Sequence, residues 1–219
     1  MVTCTYNSEL FSNVLSLLIS QIFLFLIFFF IYAYVKYLKF IDVPAKKFFR
    51  FKFDSFKNTI LIPVGVGVVV ALIFNIFRLT FYPVESTPSI IYFSALIFNG
   101  VIVAPLLESI AVQGLFFLTV LSAITYLQRK INSKLSVLKP SREALATAII
   151  VQAFVFGMNH YSSSPNLLGF LAFKAAYTAI FAIILGLMCW FNDRNLLPVV
   201  VCHAFFNLSL ISAQAFIPC

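Results

Sequence analysis

Glu108, His160, His203 and Asn207 are the residues of this chain whose types and spacing could do chemistry. The sequence holds two histidines and seven carboxylates. Glu9, Asp42, Asp54, Glu85, Glu143 and Asp193 fall in termini, in loops or at the ends of apolar runs, whereas Glu108 lies deep inside one. Both histidines also sit within an apolar run or at its end. Ionisable groups in hydrocarbon are costly, so they are functional candidates by default. A carboxylate and an imidazole that share a proton can together draw one from water near neutral pH, which is general-base chemistry. His203 and Asn207 are four residues apart, one turn along a single helix face. They can donate together to one oxygen, as an oxyanion requires. For any one of these residues, an interhelical hydrogen bond that packs a bundle reads as well. One carboxylate and two histidines on three different runs favour a shared site. Lys174, and Arg78 nearer a boundary, are the other charges inside apolar runs.

The elements that must hold these groups are membrane helices. Hydrophobic residues make up 62% of the chain, charged residues 10%, and the mean hydropathy is +1.04. An ordinary soluble domain is about 45–50% apolar and about 25% charged, so most of this surface must face lipid. The runs predict an all-α, polytopic transmembrane helical bundle of about six spans, a single membrane domain over 1–219. The spans fall near 11–37, 59–82, 89–127, 144–160, 166–191 and 196–216. The first is too long for a signal-peptide core and lacks a basic segment before it, so it is read as a retained helix. The third, at 39 residues from Ser89 to Leu127, is nearly twice the length a bilayer needs. One long helix kinked at Pro105 is expected there, the alternative being a break at Asn99 and Gly100.

The net charge of +8 is carried by 15 Lys and Arg. Seven lie between Lys36 and Lys57, five between Arg129 and Arg142, and one is Arg194, all beside apolar runs. Six spans with the N-terminus outside put these basic loops in the cytoplasm. A juxtamembrane pattern of this kind is not a nucleic-acid footprint, so no nucleic-acid partner is expected. Cys4, Cys189, Cys202 and Cys219 show no C-x-x-C spacing. Cys189 and Cys202 are read as small core hydrophobes, and a disulfide between Cys4 and Cys219 is open to two termini on one side.

From here the residues resemble a known family, the CAAX protease and bacteriocin-processing (Abi) family of intramembrane glutamic endopeptidases. Its motifs, in order, are E-E-x-x-x-R after a proline, F-x-x-x-H and H-x-x-x-N. This chain reads Ala104-Pro-Leu-Leu-Glu-Ser-Ile-Ala-Val-Gln-Gly114, Phe156-Gly-Met-Asn-His160 and His203-Ala-Phe-Phe-Asn207. The resemblance covers about residues 89–210, a family-like catalytic core. It implies that Glu108 with His160 activates the attacking water and that His203 with Asn207 stabilises the oxyanion. It also implies hydrolysis of a peptide bond near the cytoplasmic membrane face in a hydrophobic or prenylated substrate, with no metal or other cofactor. Ser109 and Gln113 replace the family's second glutamate and its arginine. Losing both charges together strands neither, so the two are expected to form a neutral hydrogen-bonded substitute for an ion pair. Phe156 is expected to pack its helix.

Two other functions fit the same residues. A catalytically silent immunity or scaffold protein would keep the fold and lose turnover. A proton-coupled transporter would use Glu108, the histidines and Lys174 as a relay, but would be expected to show inverted repeats or paired broken helices, and none are evident.

Overall fold

The computed structural model describes residues 19, 22–23, 26–27, 29–33, 50–81, 97–131, 141–160 and 168–215. Their regular structure is helical, apart from an isolated parallel bridge between Arg50 and Asn195. The α-helices are α1 (Ile62–Phe81), α2 (Ala104–Glu108), α3 (Phe117–Ile131), α4 (Arg142–Asn159), α5 (Leu168–Phe191) and α6 (Leu196–Ala215). Wider π-helical turns cover Lys57–Leu61 before α1, Phe98–Val103 before α2, and Ser109–Phe116 between α2 and α3.

Among the described residues, four stretches are long and apolar enough to cross a membrane: Lys57–Phe77, Phe98–Gln128, Lys174–Phe191 and Leu196–Ala213. The chain is therefore an integral, multi-pass membrane protein. The expected six spans are not reached among the described residues. Most of the first run lies outside them, and so do Cys4 and Cys219. The fourth run became α4, where Arg142, Glu143, Gln152 and Asn159 dilute the apolar residues. Ser141 caps that helix, its hydroxyl accepting from the Ala144 amide at 3.1 Å. Glu143 stands in its first turn. Bonds from its own backbone amide and from Ser141 hold the Glu143 carboxyl below the usual carboxylate range.

The chain packs as two compact units. The first combines 1–25, 53–109 and 198–219, and so holds α1, α2 and most of α6. On α1 and the turn before it, Thr59, Pro63, Gly67, Ala71 and Asn75 are buried. They recur every fourth residue and form one narrow stripe. Leu72, Ile73, Ile76 and Phe77 on the other faces are exposed, as lipid contact requires. A Cβ on Gly67 would collide with the Cys202 carbonyl oxygen and come within 3.0 Å of the Phe206 amide nitrogen. The absent side chain is what lets α1 approach α6.

The long run differs from the expected kinked helix in an instructive way. A proline inside an α-helix clashes with the carbonyl four residues back and leaves a carbonyl without its amide. Here the backbone changes register before Pro105: within the π turn the Ala104 amide reaches Asn99, five residues back. The helix runs from Phe98 to Ile131 by widening around the proline, and the alternative break at Asn99 and Gly100 is absent.

The second unit combines 26–52 and 110–197, including α3, α4 and α5. Small residues again set the spacing. A Cβ on Gly157 of α4 would meet the Ala175 carbonyl oxygen at 2.6 Å, and one on Gly186 of α5 would meet Gln152 Oε1 at 2.7 Å. Gln152 Nε2 donates across the pair to the Ala182 carbonyl at 3.2 Å. Cys189 and Cys202 are free and fully buried, each in the manner of a small hydrophobe.

Candidate active site

In the first unit, Glu108 ends α2 and His203 and Asn207 lie on α6. Glu108 Oε2 and His203 Nε2 are 3.7 Å apart, and both residues are buried, at 7% and 3% exposure. A carboxylate out of water is tolerated when an opposite or proton-sharing group stands against it. The 3.7 Å separation is longer than a direct hydrogen bond but lets both atoms contact one water placed beside them.

Asn207 is held by the same irregularity that accommodates Pro105. In the π register the amide following Ala104 should reach the Gly100 carbonyl, but Pro105 has no N–H to give. Asn207 Nδ2 donates to that carbonyl at 2.7 Å. The side chain keeps a second N–H, so one proton of the amide positions the residue and the other is available for chemistry.

His160 belongs to the second unit, just past the end of α4. Its Nδ1 lies 2.8 Å from the Phe156 carbonyl. A carbonyl only accepts, so Nδ1 carries the proton, and in the neutral ring Nε2 is the acceptor. The Phe156 ring, itself buried, packs on the imidazole with centroids 4.6 Å apart. Phe156 therefore orients the histidine through its backbone and its ring, which accounts for the F-x-x-x-H spacing without giving the phenylalanine a chemical role.

Ser109 and Gln113 correct the expectation made for them. Both are fully buried, yet among the described residues neither Ser109 Oγ nor either amide atom of Gln113 has a hydrogen-bond partner. The neutral hydrogen-bonded substitute is not formed. Residues four apart stack in an α-helix, whereas the backbone over Ser109–Phe116 is π-helical, with bonds spanning five. Among the described residues no group of three or more His, Cys, Asp or Glu side chains could hold a metal ion.

The comparisons with known proteins bear on these residues together. The model of the family described as type II CAAX prenyl endopeptidase, Rce1-like, matches residues 90–209, more than half of the 219. The chain belongs to the Rce1-like CAAX endopeptidase family. The matched stretch contains all three motifs, from Glu108 to Asn207. No curated protein and no solved structure matches the chain. Glu108 and His203 are paired within the first unit of this matched stretch, and His160 lies in the second. The Gly100–Asn207 bond was not legible from the motifs. Its signal was a proline five residues after a glycine in a run that the sequence alone reads as α-helix.

Proposed function

We propose that this protein is an intramembrane endopeptidase that hydrolyses a peptide bond near the cytoplasmic membrane face of a hydrophobic or prenylated substrate. The observation that carries this reading is the buried Glu108–His203 pair at 3.7 Å, within the family-matched stretch. Glu108 is the general base that takes a proton from the attacking water, and the imidazole beside it shares that proton. The tetrahedral intermediate places negative charge on the former carbonyl oxygen, where the free N–H of Asn207 donates. The family pattern assigns His160 to activation of the water, and its proton fixed on Nδ1 leaves Nε2 as an acceptor. The proton taken from the water then goes to the leaving amine.

Turnover of an internally quenched, prenylated peptide by the purified protein in lipid nanodiscs tests this. Glu108→Gln should abolish cleavage while leaving the melting temperature within a few degrees of the parent. Cleavage that survives Glu108→Gln overturns the assignment. The second reading, a catalytically silent scaffold, is favoured by Ser109 and Gln113, buried and without hydrogen-bond partners where the family pattern has a glutamate and an arginine. It predicts no cleavage by the parent protein with any peptide in a hydrophobic library.

A further inference from the structure

The loop between α5 and α6 holds a cavity that the proposed chemistry does not use. Residues 192–195 join two apolar spans, Lys174–Phe191 and Leu196–Ala213, so the loop must lie at a membrane surface whichever way the protein is oriented. Its backbone is built rather than slack. The Arg194 amide bonds to the Cys189 carbonyl at 2.8 Å and the Asp193 amide to the Trp190 carbonyl at 3.2 Å, the two bonds of a Schellman helix terminus. Asp193 and Arg194 both adopt left-handed φ, 52° and 64°, a conformation that aspartate tolerates and arginine resists. Asn195, nearly fully buried, fastens the basic segment to this loop. Its Nδ2 donates to the Lys52 carbonyl at 2.6 Å, and its Oδ1 accepts from the Lys52 amide at 3.1 Å. The Leu196 amide donates to the Arg50 carbonyl at 2.8 Å.

The result is a cavity of about 410 Å³ lined by Arg50, Trp190, Asp193 and Arg194, within the range of roughly 300–1,000 Å³ usual for ligand pockets. The Arg194 guanidinium lies over the Trp190 ring, 5.8 Å from its centroid. Among the described residues no ion pair engages Arg50 or Arg194. Among the described lining residues, two guanidinium groups against one carboxylate leave a net charge of +1, which one phosphodiester would neutralise. Asp193 can accept from a donor further along the same ligand. An indole at the membrane boundary, two arginines and a strained loop locked in place describe a headgroup site better than a connecting turn.

We propose that this cavity binds the phosphodiester of an anionic phospholipid whose headgroup carries a hydroxyl donor, the phosphate seated between Arg50 and Arg194 and the hydroxyl turned to Asp193. The site is independent of the proposed peptidase chemistry. Trp190 is the sole tryptophan of the chain, so its emission reports on the cavity alone. The protein in phosphatidylcholine nanodiscs is titrated with phosphatidylglycerol, with parallel titrations by inorganic phosphate. The parent should show a saturating change in Trp190 emission with phosphatidylglycerol and none with inorganic phosphate. Arg50→Gln should raise the half-saturating mole fraction about tenfold, the cost of one charge-assisted contact, whereas Lys130→Gln, which removes an equal charge elsewhere, should behave as the parent. Arg50 pairs through its backbone, so the substitution leaves the bridge intact. As a reading that needs no variant, acyl-brominated phosphatidylglycerol should quench Trp190 more than equally brominated phosphatidylcholine at the same mole fraction. Equal quenching by the two lipids, equal shifts in Arg50→Gln and Lys130→Gln, or a response to inorganic phosphate in place of the lipid would each overturn the proposal.

Discussion

The bond from Asn207 to Gly100 can be tested apart from any activity, because Pro105 creates the need for it. Removing the amide with Asn207→Leu leaves the Gly100 carbonyl without the 2.7 Å donor. Stranding a buried acceptor costs about 1–3 kcal/mol in proteins generally, but side-chain hydrogen bonds between membrane helices average about 0.6 kcal/mol with a maximum of about 1.7. Asn207 is half-buried, so about 1 kcal/mol is expected. Pro105→Ala supplies a backbone N–H in the register that the Ala104 amide already follows to Asn99, and that N–H takes over Gly100. In the Pro105→Ala background, Asn207→Leu should therefore cost about 0.3 kcal/mol or less, a coupling of about 0.7 kcal/mol in a double-mutant cycle. Reversible unfolding in mixed micelles, followed by Trp190 emission, measures all four proteins. Coupling below about 0.3 kcal/mol would refute the reasoning, since contacts that do not share Gly100 add independently. The same proteins separate the two jobs of Asn207. If the double variant regains stability yet cleaves a hundredfold to a thousandfold more slowly than Pro105→Ala, the remaining N–H acts on the oxyanion.

Three further outcomes follow from packing. Gly67→Ala should lower stability by about 1–3 kcal/mol, because the new Cβ meets backbone atoms of Cys202 and Phe206 that cannot rotate away; an unchanged melting temperature would mean that α1 and α6 are not in contact at that point. Gln113→Leu should leave the melting temperature equal or raise it, since replacing an unpaired buried amide by an apolar side chain of similar volume is neutral or stabilising; a marked loss of stability would reveal a partner for the amide. Ser141→Ala should destabilise α4 by about 1 kcal/mol through loss of its cap. Because the folded Glu143 carboxyl titrates below its unfolded value, its contribution is present above the unfolded pKa and is lost as pH falls through the folded one. Ser141→Ala should therefore flatten the acid limb of the melting temperature against pH.

The apolar runs made the helical class and the multi-pass character legible, because lipid enforces both on composition. The span count was less legible. The run ending at His160 is polar enough at Arg142, Glu143 and Gln152 to serve as a helix packed on α5, and periodicity does not separate that case from a span. The motif residues were legible as chemistry because few charges enter the apolar runs. Their geometry was not. The Ser109–Gln113 expectation failed because spacing was converted to position by α-helical arithmetic, while the backbone from Phe98 to Phe116 is π-helical on both sides of Glu108. Pro105 signals an interruption, and the sequence pattern does not say whether the chain kinks or widens there.

The widening matters for where Glu108 points. π turns are rare and cluster at functional sites. Each of these adds a residue to the turn and rotates everything beyond it relative to an α-helix. Between Ala104 and Leu115, Glu108, Ser109, Ala111, Val112 and Gln113 are buried, while Leu106 is exposed. Glu108 points away from that exposed side and is itself buried, so its carboxylate must meet a partner inside the protein. His203 is that partner at 3.7 Å, and the shifted register that brings Glu108 to it is the one that leaves Gly100 for Asn207. Pro105, the π turn and the H-x-x-x-N spacing on α6 are then one device: the proline sets the register, the asparagine closes the gap the proline leaves, and the histidine one turn before that asparagine stands against the carboxylate.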